Sequence, residues 1–246
     1  MRIDESKCIG CGRCLPYCPV GVISIADGKA VIDEEECVEC QECRKSGVCP
    51  VDAHVAPEWT APGSMKMPEE VPRILRYWWS DPLGVFPWTG IGGRGTQEMK
   101  TNDVSGRFTE DVVGIGVEFG RPGIGSRLSE VEKASVRLAA LGVEFEPESP
   151  WTHIIDTKTG RIKDRRFAKE KVLSCIIECK AQKERTPDIY NALMEAAKEI
   201  DTVFTLDIIS KCKDGNIILK PILERAGIKV RINGKTNLGL GRPLIP

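Results

Sequence analysis

Two cysteine-rich stretches decide how the first part of this chain folds: CIGCGRCLPYCPVGVISI at residues 8–25 and CVECQECRKSGVCPVDAH at residues 37–54. In each stretch three cysteines stand at every third position, and a fourth stands directly before a proline. Crowded cysteines form disulfide frameworks in exported proteins and bind metals in proteins of reducing compartments. The chain begins MRIDESKCIG, which contains no apolar signal segment, so the pattern favours metal binding.

The spacing of the cysteines suits a metal cluster better than a single ion. A tight loop with a cysteine at every third position can wrap three corners of a cubane, so the fourth ligand is expected from elsewhere in the fold. Zinc sites, the alternative, typically use two Cys-x2-Cys pairs that are well separated in sequence. The second motif is two residues longer than the first, and RKSGV at residues 44–48 is expected to bulge near its last cysteine.

The doubled motif resembles the bacterial ferredoxins that hold two [4Fe–4S] clusters, over residues 1 to about 56. Such ferredoxins exchange the fourth ligand between their two motifs. The resemblance therefore implies one cluster held by Cys8, Cys11, Cys14 and Cys49. It implies a second cluster held by Cys37, Cys40, Cys43 and Cys18.

Two fully ligated clusters would carry electrons, one at a time. We expect an iron–sulfur electron-transfer protein, the subunit of a larger oxidoreductase whose catalytic centre is on another chain, in an anaerobic or microaerobic host. An alternative is a redox-linked regulatory protein whose C-terminal domain binds a small-molecule effector. A purely structural role for the clusters is a further alternative. An enzyme is less well supported, because His54 and His153 have no paired carboxylate or nucleophile motif.

The composition is that of an ordinary globular protein. The chain has 246 residues, of which 41% are hydrophobic, and its formal net charge is −1, which gives no signal for nucleic acid. No apolar stretch approaches the roughly 20 residues of a membrane span. We therefore expect a cytoplasmic protein with no membrane span.

The N-terminal part is acidic. Residues 1–60 hold eleven Asp and Glu against six Lys and Arg, a net charge of −5 from eleven minus six. The run DEEE at residues 33–36 could steer a basic redox partner or could be a solvated loop.

Composition divides the chain into three predicted parts in an α+β protein. Residues 1–58 form a dicluster ferredoxin domain, with a hairpin predicted at VISIADGKAVID around Asp27 and Gly28. Residues 59–109 form a docking segment rich in Trp, Pro and Gly. Residues 110–246 alternate strand and helix patterns in the order β-α-β-β-α-β, which is typical of a ferredoxin-like α/β sandwich. We expect this last domain to bind a partner or to form a homo-oligomer.

Weaker signals lie outside the cysteine motifs. The glycine- and arginine-rich loops at residues 90–107 and 119–127 could bind an anion, although a packing turn is the simpler interpretation of the second. Cys175 and Cys179 lie four residues apart in a predicted strand and are expected in the core. The C-terminal stretch NGKTNLGLGRPLIP, with Lys235 and Arg242, could reach across an interface or be solvated.

Overall fold

The structure is a computed structural model that describes residues 1–61, 66–92, 106–120 and 123–230. It combines strands with helices, as the α+β prediction states. The strands are β1 (Arg2–Ile3), β2 (Ile23–Ala26), β3 (Lys29–Ile32), β4 (His54–Val55), β5 (Val85–Phe86), β6 (Ile91–Gly92), β7 (Val112–Phe119), β8 (Ser126–Arg127), β9 (Glu144–Phe145), β10 (Ile155–Asp156), β11 (Arg161–Ile162), β12 (Lys171–Val172), β13 (Cys175–Gln182), β14 (Phe204–Ile209), β15 (Cys212–Lys213) and β16 (Asn216–Ile217). The helices are α1 (Glu42–Lys45), α2 (Ile74–Ser80), α3 (Leu128–Ala140), α4 (Pro150–Ile154), α5 (Thr186–Ala197) and α6 (Lys220–Arg225).

The chain forms two compact units that are not contiguous in sequence. The first contains residues 1–94 together with residues 119–129 and 164–175. The second contains residues 95–118, 130–163 and 176–246. Short segments from the second half of the chain therefore complete the N-terminal unit, while the linear boundaries after residues 58 and 109 stay a prediction.

A hairpin lies at the centre of the N-terminal unit. Strands β2 and β3 pair antiparallel, from Ile23 with Ile32 to Ala26 with Lys29. The two residues between them, Asp27 and Gly28, have positive φ angles of 49° and 73°, which is the backbone of a tight two-residue turn. The predicted hairpin is thus confirmed.

One core cluster of this unit contains four of the cysteines. Strand β1 pairs antiparallel with β4, and this brings the start of the chain beside the end of the second cysteine motif. The buried residues that pack together here are Met1, Cys8, Cys14, Ile23, Ala30, Ile32, Cys37, Cys43 and Ala53. So small an apolar set gives little stability alone, and whatever the thiols bind becomes part of the core.

The tryptophan-rich segment folds onto its own chain. Helix α2 buries Trp78 and Trp79, and Phe86 on β5 is fully buried beside them. The ring of Phe86 meets Trp78 edge-on at 5.2 Å and Trp88 at 4.9 Å between centroids. Because these rings fill the interior, docking by this segment would depend on exposed residues such as Leu83.

The second unit is built on a four-stranded sheet with the strand order β14-β7-β13-β9. Helix α3 lies between β7 and β9 in the chain, and α5 lies between β13 and β14. The indole of Trp151 on α4 is fully buried and donates a hydrogen bond to the Ser135 hydroxyl at 3.0 Å. In the part of the chain that the structure describes, no helix has the length and apolarity needed to cross a bilayer.

Replacing Trp78 with Ala should lower the free energy of unfolding by about 3–5 kcal/mol, because it empties a fully buried ring site. The matched control is Leu83→Ala, at a side chain that is 75% exposed. We expect that control to change stability by no more than about 0.5 kcal/mol. Denaturant unfolding of both variants measures the difference, and equal effects would contradict the packing described for α2.

Candidate metal centres

The eight cysteines of the two motifs gather around two separate cavities. The first, which we call site I, encloses about 320 Å³ of empty space, part of it open to solvent, and its lining includes Cys8, Cys11, Cys14 and Cys49. The second, site II, encloses about 300 Å³, and its lining includes Cys18, Cys37, Cys40 and Cys43. Each cavity thus combines three cysteines of one motif with the Cys-Pro cysteine of the other.

The two motifs are built alike at their first cysteine. The amide of Cys8 donates to the Asp4 carbonyl at 2.9 Å, and the amide of Cys37 donates to the Asp33 carbonyl at 2.9 Å. An aspartate four residues before the first cysteine is therefore part of the repeat. This signal was present in the sequence and was missed.

The Cys-Pro cysteines are also held in the same way. The amide of Val22 donates to Cys18 Sγ at 3.3 Å, and the amide of Ala53 donates to Cys49 Sγ at 3.2 Å. In both motifs the donor lies four residues beyond the cysteine. The two Cys-Pro cysteines therefore have the same backbone surroundings in both motifs.

Cys8 is prepared for metal binding by backbone donors. The amide of Ala30 on β3 lies 3.3 Å from Cys8 Sγ. The amides of Ala30 and Gly10 lower the pKa of the Cys8 thiol below its usual value, against the opposing effect of burial. The hairpin therefore reaches site I through its second strand.

In site II, burial raises the pKa values of three of the thiols. It raises the pKa of Cys37, the pKa of Cys40 to about 11 and the pKa of Cys43 to about 12. The Glu39 carboxylate adds to the rise at Cys37, and neighbouring thiols add to it at Cys40 and Cys43. Burial likewise raises the pKa of Cys14 in site I. Thiols crowded this closely ionise together only if positive charge lies between them, which is what iron supplies.

The donor set fits an iron–sulfur cluster in each cavity. All eight thiols are free of disulfides, and four reach each cavity. Across residues 1–61, 66–92, 106–120 and 123–230, no three His, Cys, Asp or Glu side chains are grouped to hold a single metal ion. Thiolates are the ligands of [4Fe–4S] clusters, so the residues present match that group.

The longer second motif differs from the first near its third cysteine. Cys43 lies within helix α1, whereas Cys14 lies just before a short 3-10 helix at Leu15–Tyr17. Residues 44–47 are exposed, and Gly47 turns the chain with a φ of +65°. The two extra residues therefore lengthen a helical turn at the surface.

The acidic run predicted to steer a partner is partly paired within the chain. Arg73 binds Glu39 at 2.6 Å and Glu34 at 3.4 Å. Lys171 binds Glu36 at 2.6 Å, and Arg127 pairs with the same carboxylate. Of the four residues in the run, Glu34 and Glu36 are thus paired within the chain, while Asp33 and Glu35 are exposed, and steering of a partner by the run stays a prediction.

Among the residues that the structure describes, the other candidates do not form a third metal centre beside sites I and II. Cys175 and Cys179 are buried as expected, and Cys212 is exposed. His54 is buried in the lining of site I. In the described part of the loop at 119–127, Gly120, Gly123 and Gly125 have positive φ angles, and the choice between a packing turn and an anion site stays a prediction. Residues 93–105 and 121–122 of the two glycine loops, and the C-terminal stretch from residue 231, lie outside the described residues.

Comparisons with known proteins agree with the cysteine geometry. Residues 1–24 match the family model of the 4Fe-4S binding domain. The "Ferredoxin-like protein in vnf region" of Azotobacter chroococcum mcd 1 is 47% identical over 60 residues, which are 23% of this chain and 92% of that protein. Ferredoxin-2 of Chlorobaculum tepidum is 46% identical over 55 residues, which are 21% of this chain and 87% of that protein.

A third relative is a larger protein. It is a subunit of an ion-translocating oxidoreductase complex from Methanosarcina acetivorans, and it is 41% identical over 51 residues, which are 21% of this chain and 19% of that protein. No solved structure matches the chain. The relatives cover about 60 residues, and the remainder is not recognised by them.

A methyl group at Gly10 should weaken metal retention at site I. Gly10 has a φ of +65°, and a Cβ there would lie 2.1 Å from the Gly28 carbonyl oxygen. Gly10→Ala must therefore push the first motif away from the hairpin. The measurement is the rate of iron release to a chelator, and we expect faster release from the variant than from the wild type.

Gly12→Ala is the matched control for this change. Gly12 has a similar φ of +70°, but a Cβ there meets only Leu15 Cδ1 at 4.0 Å. Both variants carry the same backbone strain, and only Gly10→Ala adds the clash. Equal rates of iron release from the two variants would contradict the close contact between the hairpin and site I.

Proposed function

This chain belongs to the [4Fe–4S] ferredoxin family through its N-terminal module, and we propose that it holds two clusters and serves as the electron-transfer subunit of a larger oxidoreductase. The observation that carries the proposal is the crossed grouping of eight cysteines around two cavities. Site I would take its cluster through Cys8, Cys11, Cys14 and Cys49. Site II would take its cluster through Cys18, Cys37, Cys40 and Cys43.

Each bound cluster would supply one-electron chemistry, and the protein supplies its surroundings. Backbone amides donate hydrogen bonds to the sulfur atoms of Cys8, Cys18 and Cys49. The low exposure of Cys14, Cys40 and Cys43 keeps water away from the ligands. Since four thiols surround each cavity, every iron corner has a protein ligand, which favours electron transfer over substrate binding at iron.

A catalytic centre on another chain is supported by the Methanosarcina relative, whose name describes a subunit of an oxidoreductase complex. The similarity spans only 19% of that protein, so the relative supports a shared electron-transfer module rather than a shared complex. We propose a redox protein as the partner of this module. The cytoplasmic location and the anaerobic host stay predictions.

We also propose that the second unit is a ferredoxin-like α/β sandwich that binds a partner or a second copy of this chain. Numbered in chain order, β7, β9, β13 and β14 would be strands 1 to 4, and they stand in the order 4-1-3-2 across the sheet. The intervening helices α3 and α5 complete the β-α-β-β-α-β order. This support concerns topology, and topology alone does not specify function.

Iron and acid-labile sulfide analysis of anaerobically purified protein should give about eight of each per chain, as two [4Fe–4S] clusters require. Four irons or fewer would contradict the two-cluster proposal. Isolation from native cells should also recover a larger oxidoreductase subunit in stoichiometric amount. Recovery of a lone homo-oligomer would favour the regulatory alternative.

Cys14→Ala should remove one cluster signal from the EPR spectrum and leave the other, because Cys14 lines site I alone. The matched control is Cys175→Ala, at a buried cysteine that lines neither cavity. Its iron content should equal that of the wild type. Loss of iron from the control would contradict the assignment of Cys175 to the core.

A further inference from the structure

Two segments from the second half of the chain pack beside site II. We call residues 119–120, 123–129 and 164–175 the cover, since all belong to the compact N-terminal unit. A Cβ on Gly123 would lie 3.0 Å from the Pro19 carbonyl oxygen, and one on Gly125 would lie 3.6 Å from Val20 Cγ1. Pro19 and Val20 both line the site II cavity. The glycines therefore allow the cover to approach the chain that directly follows Cys18.

Charge pairs fasten the cover to the acidic run before Cys37. Glu36 accepts from Lys171 at 2.6 Å and also pairs with Arg127. The Arg127 guanidinium donates in addition to the Lys169 carbonyl at 2.8 Å. Strands β8 and β12 pair with each other, so both halves of the cover hold one carboxylate together.

A buried ion pair adds a second attachment. The Arg76 Nε lies 2.6 Å from Glu170 Oε2, and both side chains are nearly inaccessible to solvent. The same guanidinium donates to the Cys37 carbonyl at 2.8 Å. Arg76 therefore joins the cover to the first cysteine of site II. Removing one partner of such a buried pair would leave the other charge uncompensated, so the contact resists opening.

Site I has no such attachment among the contacts described for the cover, and its rim faces solvent. Cys11 is exposed, and the neighbouring Ile9 side chain is 61% exposed. In site II, by contrast, Cys37, Cys40 and Cys43 are all buried, and Cys18 is half-buried. The two sites thus differ at one ligand, the exposed Cys11, since Cys8 and Cys14 of site I are as buried as the site II thiols and Cys49 is half-buried like Cys18.

We propose that electrons enter and leave this chain at site I, by contact of a one-electron redox protein with the exposed Ile9–Cys11 rim, while the chain's own cover screens site II. The proposal rests on the proposed two-cluster function and adds the point at which electrons enter and leave. One electron moves in each exchange and no atoms are transferred. A cluster held by Cys8, Cys11, Cys14 and Cys49 would take one electron from the outside donor, which would be oxidised by one, and would exchange it with a cluster held by Cys18, Cys37, Cys40 and Cys43.

The charged and apolar side chains that remain exposed near site I indicate what kind of partner protein can bind there. Glu34, Glu36 and Glu39 pair with Arg73, Arg127 and Lys171 of the same chain. The open rim offers an apolar side chain at Ile9 and the exposed Arg13, which also lines site I. We therefore expect the partner to contact an apolar side chain and a basic one at this rim.

Access can be measured without a partner by EPR power saturation with dysprosium(III)–EDTA, a small paramagnetic relaxing agent. The probe is added to wild-type protein that has been partly reduced with dithionite. Cys11→Ser assigns the signals, because it alters or removes only the site I spectrum. We expect the probe to relax the site I signal several-fold more strongly than the site II signal. Equal relaxation of both signals, or stronger relaxation at site II, would overturn the proposal.

Two glycine variants test the cover itself. Gly123→Asp places a carboxylate against the Pro19 carbonyl, and relaxation of the site II signal should rise toward that of site I. Gly142→Asp is the matched control: its φ of +69° equals that of Gly123 within a degree, and no atom lies within 4 Å of a Cβ there. A rise in both variants, or in neither when both fold, would contradict screening by the cover.

If Gly123→Asp does not fold, the relaxation of the site I and site II signals in the wild-type protein still decides the proposal. The iron content distinguishes a failure of the two-cluster function from a failure of the proposed electron-entry site. About four irons per chain would contradict the two-cluster function itself. About eight irons, together with equal relaxation of both cluster signals by the probe, would contradict only the assignment of site I as the point of electron entry and exit.

Discussion

The fold of the N-terminal module depends on the exchange of one cysteine between its two motifs. Cys18 belongs to the motif whose first three cysteines line site I, but Cys18 itself lines site II. Cys49 belongs to the motif whose first three cysteines line site II, but Cys49 itself lines site I. Neither cavity can therefore form from a contiguous piece of chain. Because four of the cysteines belong to a buried core cluster, the arrangement that binds metal and the arrangement that stabilises the module are the same.

The sequence predicted the local features of this module well and its long-range contacts poorly. The hairpin followed from Asp27 and Gly28, because a tight turn is a local signal. The β-α-β-β-α-β architecture of the second unit stays a proposal. The cysteine spacing suggested the module through resemblance, and ligation of the clusters stays a proposal. The pairing of Glu36 with Lys171 spans 135 positions, and no local pattern predicts such a contact.

The tryptophan segment shows a different limit of sequence reasoning. Its composition indicated an ordered surface contact, but aromatic residues satisfy the same pattern by packing on their own chain. Trp78 and Phe86 do so with full burial. A glycine-rich loop is similarly ambiguous: Gly123 and Gly125 could line an anion site, and they also allow close contact with residues 19 and 20.

The cover also relates the module to the order in which the chain is made. Synthesis runs from the N-terminus, so all eight cysteines leave the ribosome before Glu170 and Lys171 are added to the chain. During that interval Arg76 and Glu36 have not yet met these partners. Until the later segments are translated, the cysteines of site II therefore stand without the contacts that Glu170 and Lys171 make in the finished chain.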